Sequence, residues 1–549
     1  EKALCQIYSE VLHRPEIRVD DDFFALGGHS LTATRIVSRI RARLMVDLPL
    51  RDLFERRTPA GLAAAVETAI RSSIPLQTRP RPAKIPLSFA QERLWFLHRL
   101  EGPSPTYNVP LVQRMTGHLD SEALVAALAD VVRRHEILRT VYPEVDGNPV
   151  QEVIPADSAN PMIFVDTVDV CDLADRLSVA VAYSFDLDSE IPFRATLFRI
   201  TPTEHVLALV IHHIACDGWS LGPLAEDLGR AYAAWCSGDA PVWSPLPVQY
   251  VDYTLWQREL LGKVGDQDSA GSSQMRFWAD VLAGLPDEIG LPFDRPRPAA
   301  ASYQGGAVDF VVSADVHAGL ADLARRTGST PFMVFQAALS LLLAKVSGGA
   351  DIPIGAPIAG RGDEALDGLI GFFVNTLVLR TDVSGDPTFA GLLARIRETD
   401  LAAFAHQDVP FEQLVRELNP ARSAGRHPLF QVLMAFNSNL ASTTVGLPGL
   451  TVQPEPYPQN GAKFDLLFGL REKFGPDGEP LGVKGTIEYS IDLFDHDTIV
   501  LLAGRLHRIL EAIVGNANLR LSEFDVLASA ERAQILTEWN NTACDIPPS

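Results

Sequence analysis

The sequence predicts a small all-α domain of four helices followed by a larger α/β part built as two lobes. Three observations lead there. Residues 1–71 carry apolar residues at helical spacing and no strand pattern. Residues 87–528 alternate helical and strand patterns, as α/β lobes do. Between them, residues 72–86 read SSIPLQTRPRPAKIP, and repeated prolines favour an extended, stiff connector. A chain of 549 residues is also too long for one ordinary core.

In the first domain, Leu4, Ile7, Tyr8, Val11 and Leu12 define one helix face. An acidic loop, Asp20 to Asp22, leads through Phe23-Phe24 to Gly27-Gly28, which breaks the chain. A second helix carries Leu31, Ile36, Val37, Ile40 and Leu44, and Leu50 to Phe54 forms a short third. Thr58 as N-cap with Pro59 at the first helical position opens a fourth, to about Ile70. Ser30 stands where the glycine turn meets the second helix. By position alone it reads first as an N-cap; the other reading is a hydroxyl that carries a phosphodiester, because free N–H groups and the helix dipole favour an anion there.

In the larger part, helices are expected from Ser88, over Ser121–His135, Leu221–Trp235, Asp315–Arg326, Pro331–Val346, Phe389–Ala405 and His496–Val514. Strands are expected over Phe193–Arg199, His205–Ile214, Ile352–Ile358 and Leu429–Phe436. The second of these does not alternate, so it is buried on both faces. The lobes divide at 87–262 and 263–528, with a tail at 529–549.

Composition excludes several classes. A net charge of −22 argues against nucleic acid, which needs basic clusters; Arg79 and Arg81 read as linker. The apolar stretch Thr330 to Val346 contains Gln336 and Lys345 and is short for a membrane span. No signal peptide opens the chain, and the missing initiator Met is expected of an excised fragment. Cys5, Cys171, Cys216, Cys236 and Cys544 are odd in number and scattered. A reducing cytoplasm is therefore expected.

The chemistry concentrates at Val206–Leu221, VLALVIHHIACDGWSL. Adjacent strand residues point to opposite faces, so His212 and His213 take different roles, one facing the core and one an opening. That geometry makes a poor metal chelate. Asp217 reads as an orienting carboxylate or as half of a buried ion pair, and Gly218 allows close backbone approach.

The run Asp22-Phe23-Phe24-Ala25-Leu26-Gly27-Gly28-His29-Ser30-Leu31 resembles the carrier-protein signature of nonribosomal peptide synthetases. The resemblance implies 4′-phosphopantetheine on Ser30, its thiol holding an aminoacyl or peptidyl group. The remainder resembles their condensation domains, made of two chloramphenicol-acetyltransferase-like lobes in a V-shape. His212 to Gly218 matches HHxxxDG. The Ser88–Leu97 helix, Arg134–Thr140, Tyr250–Trp256, Ile370–Arg380, His406–Glu412 and Arg426–Phe430 agree in order.

The resemblance implies peptide-bond formation between two carrier-bound substrates, with Ser30 on the donor side and a downstream carrier bringing the acceptor amine. His213 is then the active-site imidazole, as base or as positioning group. His212 packs, and Asp217 forms an ion pair with Arg361 or Arg139. Gly218 lends backbone access near the developing oxyanion, while Trp219, Ser220 and Asn375 line the substrate tunnel. Implied partners are a phosphopantetheinyl transferase and adjoining adenylation domains, with no nucleic acid and no membrane. Gly28-His29-Ser30 differs from the GGDS of carriers that precede epimerisation domains, and heterocyclisation domains replace the histidines with Asp. The RLWFL form of the first motif is similar to the subtype joining an L donor to an L acceptor. Silent platforms that recruit a partner enzyme typically lose the second His or the Gly; His213 and Gly218 are intact. The tail, Leu521 to Ser549, resembles the connector to an adenylation domain.

Overall fold

The computed structural model describes the chain except residues 29, 72–73, 160, 263–268, 422, 437–443, 458–460 and 543–549. His29, Ser72 and Cys544, and the start of the second lobe as expected at 263, therefore lie outside the described residues, as does the side chain of Ser30.

The first domain is four helices: α1 (Lys2–Leu12), α2 (Ser30–Leu44), α3 (Leu50–Arg56) and α4 (Pro59–Thr68). Leu4, Ile7, Tyr8 and Val11 of α1 are buried against Phe23, Ile36, Ile40, Phe54 and Leu62. The Thr58 Oγ1 accepts from Gly61 N at 3.1 Å, which caps α4. Gly27 takes φ +91°, and a Cβ on Gly28 would meet the Phe23 ring at 2.4 Å. The glycine turn thus lies flat on the aromatic core just before α2 begins.

The linker is seated on the next domain. Trp256 Nε1 donates to Ile74 O at 2.9 Å, Arg81 pairs with Glu136 at 2.8 Å, and Ile85–Pro86 pairs with Gln151 and Val150.

In the N-terminal lobe the helices are α5 (Phe89–Glu101), α6 (Ser121–Arg134), α7 (Leu173–Val181), α8 (Leu221–Cys236) and α9 (Tyr250–Leu261). Its sheet contains β1 (Asn108–Thr116), β2 (Met162–Thr167), β3 (Phe193–Thr201) and β4 (Glu204–His212). Strand β4 is central, antiparallel to β1 and β3. Leu207, Leu209 and Ile211 enter the main core with α6 and α8, and Val206 and Ala208 join Leu173 and Leu177 of α7. This explains the unbroken apolar run. The strand stops at His212, two residues short of the expected end. His213 and Ile214 turn away while staying packed, so their apolar pattern mimics more strand.

The C-terminal lobe has α10 (Ala270–Val281), α11 (Ala314–Thr327), α12 (Pro331–Ser347), α13 (Phe389–Phe404), α14 (Phe411–Leu418) and α15 (His496–Gly515). Its strands are β5 (Gly305–Val312), β6 (Asp351–Ile358), β7 (Asn375–Asp382), β8 (Val432–Phe436), β10 (Leu466–Phe474) and β11 (Pro480–Ser490), and β9 (Thr451–Pro454) belongs elsewhere. The sheet order is β5-β11-β10-β8-β6-β7, parallel at β6–β8 and β8–β10 and otherwise antiparallel. Helix α12 is capped by Thr330, starts on Pro331 and ends at Gly348 in the left-handed region. It is a core helix. Among the described residues no single helix is long and apolar enough to cross a membrane.

The lobes are not contiguous halves. Strand β9 comes from the second lobe yet pairs antiparallel with β1 of the first, and Val445 and Leu447 enter the first lobe's core. Leu366, Leu369, Ile370, Phe372 and Phe373 do the same. A division at 262/263 misses both crossings, because strand exchange leaves no local sequence mark.

Candidate active site

The end of β4 brings the two histidines to the surface of the first lobe's core. His212 N donates to Pro192 O at 3.0 Å, and His213 N donates to Tyr107 O at 2.7 Å. His212 is buried, and its Nδ1 accepts from Ile214 N at 3.2 Å. His213 is half-buried, with its ring 4.8 Å from that of Phe372, and among the described residues its Nδ1 is buried without a hydrogen-bond partner. Burial pulls the His212 imidazole down to about 3, and a proton on the neighbouring His213 opposes a second one here. Burial also pulls His213 down to about 4, with Lys463 adding to the effect and Asp217 opposing it. Both rings are therefore neutral near pH 7.

Asp217 caps the short turn Gly218–Ser220 that leads into α8. Its Oδ1 accepts from Ser220 N at 2.9 Å and Ser220 Oγ at 2.8 Å. Its Oδ2 accepts from Phe373 N at 2.9 Å and Val374 N at 3.2 Å. Arg361 Nη2 stands 3.5 Å from Oδ1 and donates to Ser220 Oγ at 2.9 Å. The Arg361 guanidinium also lies 4.3 Å over the Phe373 ring. A fully buried carboxylate thus holds the histidine loop to the crossing segment of the other lobe.

Two other expectations are corrected. Arg139 is not at Asp217: it lies 3.7 Å from Glu136 and donates to Arg133 O at 3.4 Å and to Ile154 O. Ser220 does not line a tunnel. It is fully buried; its Oγ accepts from Gly371 N at 3.1 Å and lies 2.8 Å from Gly371 O, which competes with Asp217 for its single proton. Gly218 is buried behind it.

The crossing segment fits only with glycine at its bends. Gly360 sits at φ +62°, and a Cβ there would meet Phe373 O at 1.8 Å. A Cβ on Gly371 would meet the Tyr250 ring at 2.4 Å. Tyr250 OH donates to Phe372 O at 2.7 Å and is 2.9 Å from Ser88 Oγ. Gln91 Nε2 reaches Ile214 O at 3.3 Å. Segments far apart in sequence therefore converge on one loop. Tyr107, Gln91, Tyr250 and Phe372 went unassigned from sequence, since each reads as ordinary packing.

A cavity of about 520 Å³ lies between α2 and the lobes. Thr34, Arg35 and Ser38 of α2 line it together with Trp219, Tyr253 and Asn375. Trp219 is half-buried there. Asn375 forms wall only: its amide donates to Gln407 O and Val409 O, both at 2.9 Å, and its carbonyl accepts from Thr376 N and Phe411 N. Outside the cavity, Arg43 meets Glu364 at 3.2 Å and Arg51 meets Glu398 at 2.8 Å, joining the helical domain to the lobe.

The family model "Condensation domain" matches residues 82–536. The chain belongs to the condensation-domain family. The model "Phosphopantetheine attachment site" matches residues 2–66, so this condensation domain is preceded by a carrier domain, which bears 4′-phosphopantetheine covalently. The chain is 49% identical over 547 residues to a dimodular nonribosomal peptide synthase of Bacillus subtilis, covering 100% of this chain and 23% of that protein. It is 46% identical over 557 residues to an isonitrile lipopeptide synthase of Mycobacterium tuberculosis, covering 100% and 22%. It thus spans under a quarter of either relative.

Among solved structures, the X-domain from teicoplanin biosynthesis matches with a TM-score of 0.77 at 37% identity, covering 82% of this chain and 100% of that one. A four-domain nonribosomal peptide synthetase bound to AMP and glycine matches with a TM-score of 0.73 at 23% identity, covering 83% and 35%; that likeness shows the fold.

The carrier's residues fit the cofactor. Ser30 is the first residue of a 15-residue helix, behind a glycine turn packed on Phe23 with no room for a Cβ at Gly28. Phosphate there meets the helix N-terminus, and the adjoining α2 face lines the cavity.

Proposed function

We propose that Ser30 bears the donor acyl group and that the condensation domain joins it to an amine delivered by a downstream carrier. The cofactor supplies a thiol that holds the acyl group as a thioester on a flexible arm. The supporting observation is the cavity between α2 and Trp219, Tyr253 and Asn375, which brings the carrier against the lobes on the side of the Asp217 clamp.

His213 is the group we place at the incoming amine. Its ring is neutral, and among the described residues its Nδ1 has no hydrogen-bond partner. An imidazole pulled down to about 4 is a weak base, so holding the amine by a hydrogen bond is its main role. Asp217 and Arg361 brace the loop and take no proton.

A second reading comes from the similarity to the X-domain, which was also solved in complex with OxyB: a platform that recruits a partner enzyme. Retention of His213 and Gly218 favours the catalytic reading. Phosphopantetheinyl transferase treatment followed by mass spectrometry tests the first step, with the adduct expected on Ser30. Transfer of the loaded acyl group to an amine acceptor tests the second. No adduct on Ser30 removes the donor assignment, and a loaded protein that never transfers favours the platform.

A further inference from the structure

Across the lobe junction from His213 stands an ammonium with no assigned task. Lys463 lies three residues before β10 and is half-buried. Its Nζ sits 4.9 Å from the centre of the Tyr107 ring, and the Tyr107 carbonyl is the acceptor for His213 N. One residue therefore separates this cation from the histidine's backbone anchor. Among the described residues Lys463 has no ion-pair or hydrogen-bond partner. The nearby cation Arg93 of α5 is engaged, 3.4 Å from Glu412 and 3.3 Å from His427.

A partly desolvated cation over an aromatic face, with Glu488 acting on it only through space, is stabilised further when a negative charge arrives beside it. Condensation produces one. The amine nitrogen bonds to the acyl carbonyl carbon, and the carbonyl π pair moves onto oxygen. Collapse restores the double bond and expels sulfur as a thiolate. The proton lost from nitrogen ends on that sulfur, giving an amide and a thiol.

We infer that Lys463 is a further catalytic residue, whose ammonium faces the acyl oxygen and stabilises the charge that develops on it. This rests on His213 as the reaction centre. The groups acting on Lys463 come from each neighbouring element: Glu488 of β11, Arg93 of α5, the Tyr107 ring, and His213 beyond it. Burial pulls its ammonium down to about 8, with Glu488 opposing and Arg93 assisting. The charge is therefore present below pH 8 and lost above it.

The test uses the full chain, loaded on Ser30 with alanyl-phosphopantetheine from alanyl-coenzyme A, with glycyl-N-acetylcysteamine as acceptor. Single-turnover rates are followed from pH 6.5 to 9.5 with spontaneous hydrolysis subtracted. The wild type is expected to lose rate above about pH 8, K463R to keep the neutral-pH rate without the alkaline fall, and K463M to be slower by about 100-fold. Independently, ¹³Cε-lysine spectra of the unloaded protein are expected to contain one resonance, absent from K463M, that titrates near pH 8.

K463M at the wild-type rate, an alkaline fall that persists in K463R, or titration at the ordinary lysine value of about 10.4 overturns the inference. If K463M fails to fold, K463R and the titration still decide. H213A run alongside separates the two readings. H213A at full rate removes the reaction centre itself, whereas a slow H213A beside a wild-type-like K463M removes only the role of Lys463.

Discussion

Phe373 N donates to Asp217 Oδ2 at 2.9 Å, a hydrogen bond that joins the crossing segment to the histidine loop. The same carboxylate accepts from Val374 and Ser220 and stands beside Arg361. Replacing it with Ala removes several acceptor contacts and leaves the guanidinium buried. D217A is expected to destabilise the protein by roughly 3–5 kcal/mol and D217N by less, read by urea denaturation. An unchanged midpoint in D217A would mean that the clamp carries no weight.

The pairing of Asp217 with Arg361 rather than Arg139 is open to a double-mutant cycle. D217N with R361Q is expected to show a coupling energy of about 1 kcal/mol or more, and D217N with R139Q about zero. Equal coupling at both arginines contradicts the assignment.

Gly360 lies in the left-handed region with no space for a methyl group. G360A is expected to cost at least about 1–3 kcal/mol and to slow condensation, because Phe373 must move. Thermal melting with a parallel transfer assay measures both. G368A, where a Cβ meets nothing within 4 Å, is the control and is expected to leave melting unchanged.

Asp400 of α13 is fully buried, and burial pushes its carboxyl up to about 8. Gln336 Nε2 donates to its Oδ1 at 3.1 Å, while among the described residues Asp400 Oδ2 and Gln336 Oε1 have no hydrogen-bond partner. A proton on Oδ2 turns an orphaned acceptor into a donor. Because the folded value exceeds the unfolded one, this group's stabilisation is full below about pH 4 and is lost as pH rises toward 8. D400N is expected to flatten that part of the stability profile between pH 5 and 8. Denaturation at several pH values checks it, and an unaltered slope in D400N rules it out.

Much of the site was legible because its chemistry is carried by short contiguous runs. Ser30 behind two glycines, and the histidines at the end of an apolar strand, are local patterns. The partner of Asp217 was not, since Arg361 and Arg139 were both candidates in sequence and only the fold separates them. Ser220 was misplaced because a serine beside a Trp at a tunnel mouth reads the same whether it faces the tunnel or the carboxylate. Lys463 was invisible, because a lone lysine before a strand has the pattern of a surface residue. The crossings at 361–374 and 445–454 depend on contacts hundreds of residues apart, which periodicity cannot register.

The most direct measurement is single-turnover acyl transfer from Ser30-loaded protein in H213A and H212A, each with loading and melting checked. H213A is expected to lose about 100-fold or more in rate at unchanged loading. H212A is expected to act mainly through stability, with transfer recovered at lower temperature. A wild-type transfer rate in folded, fully loaded H213A contradicts His213 as the centre of the reaction.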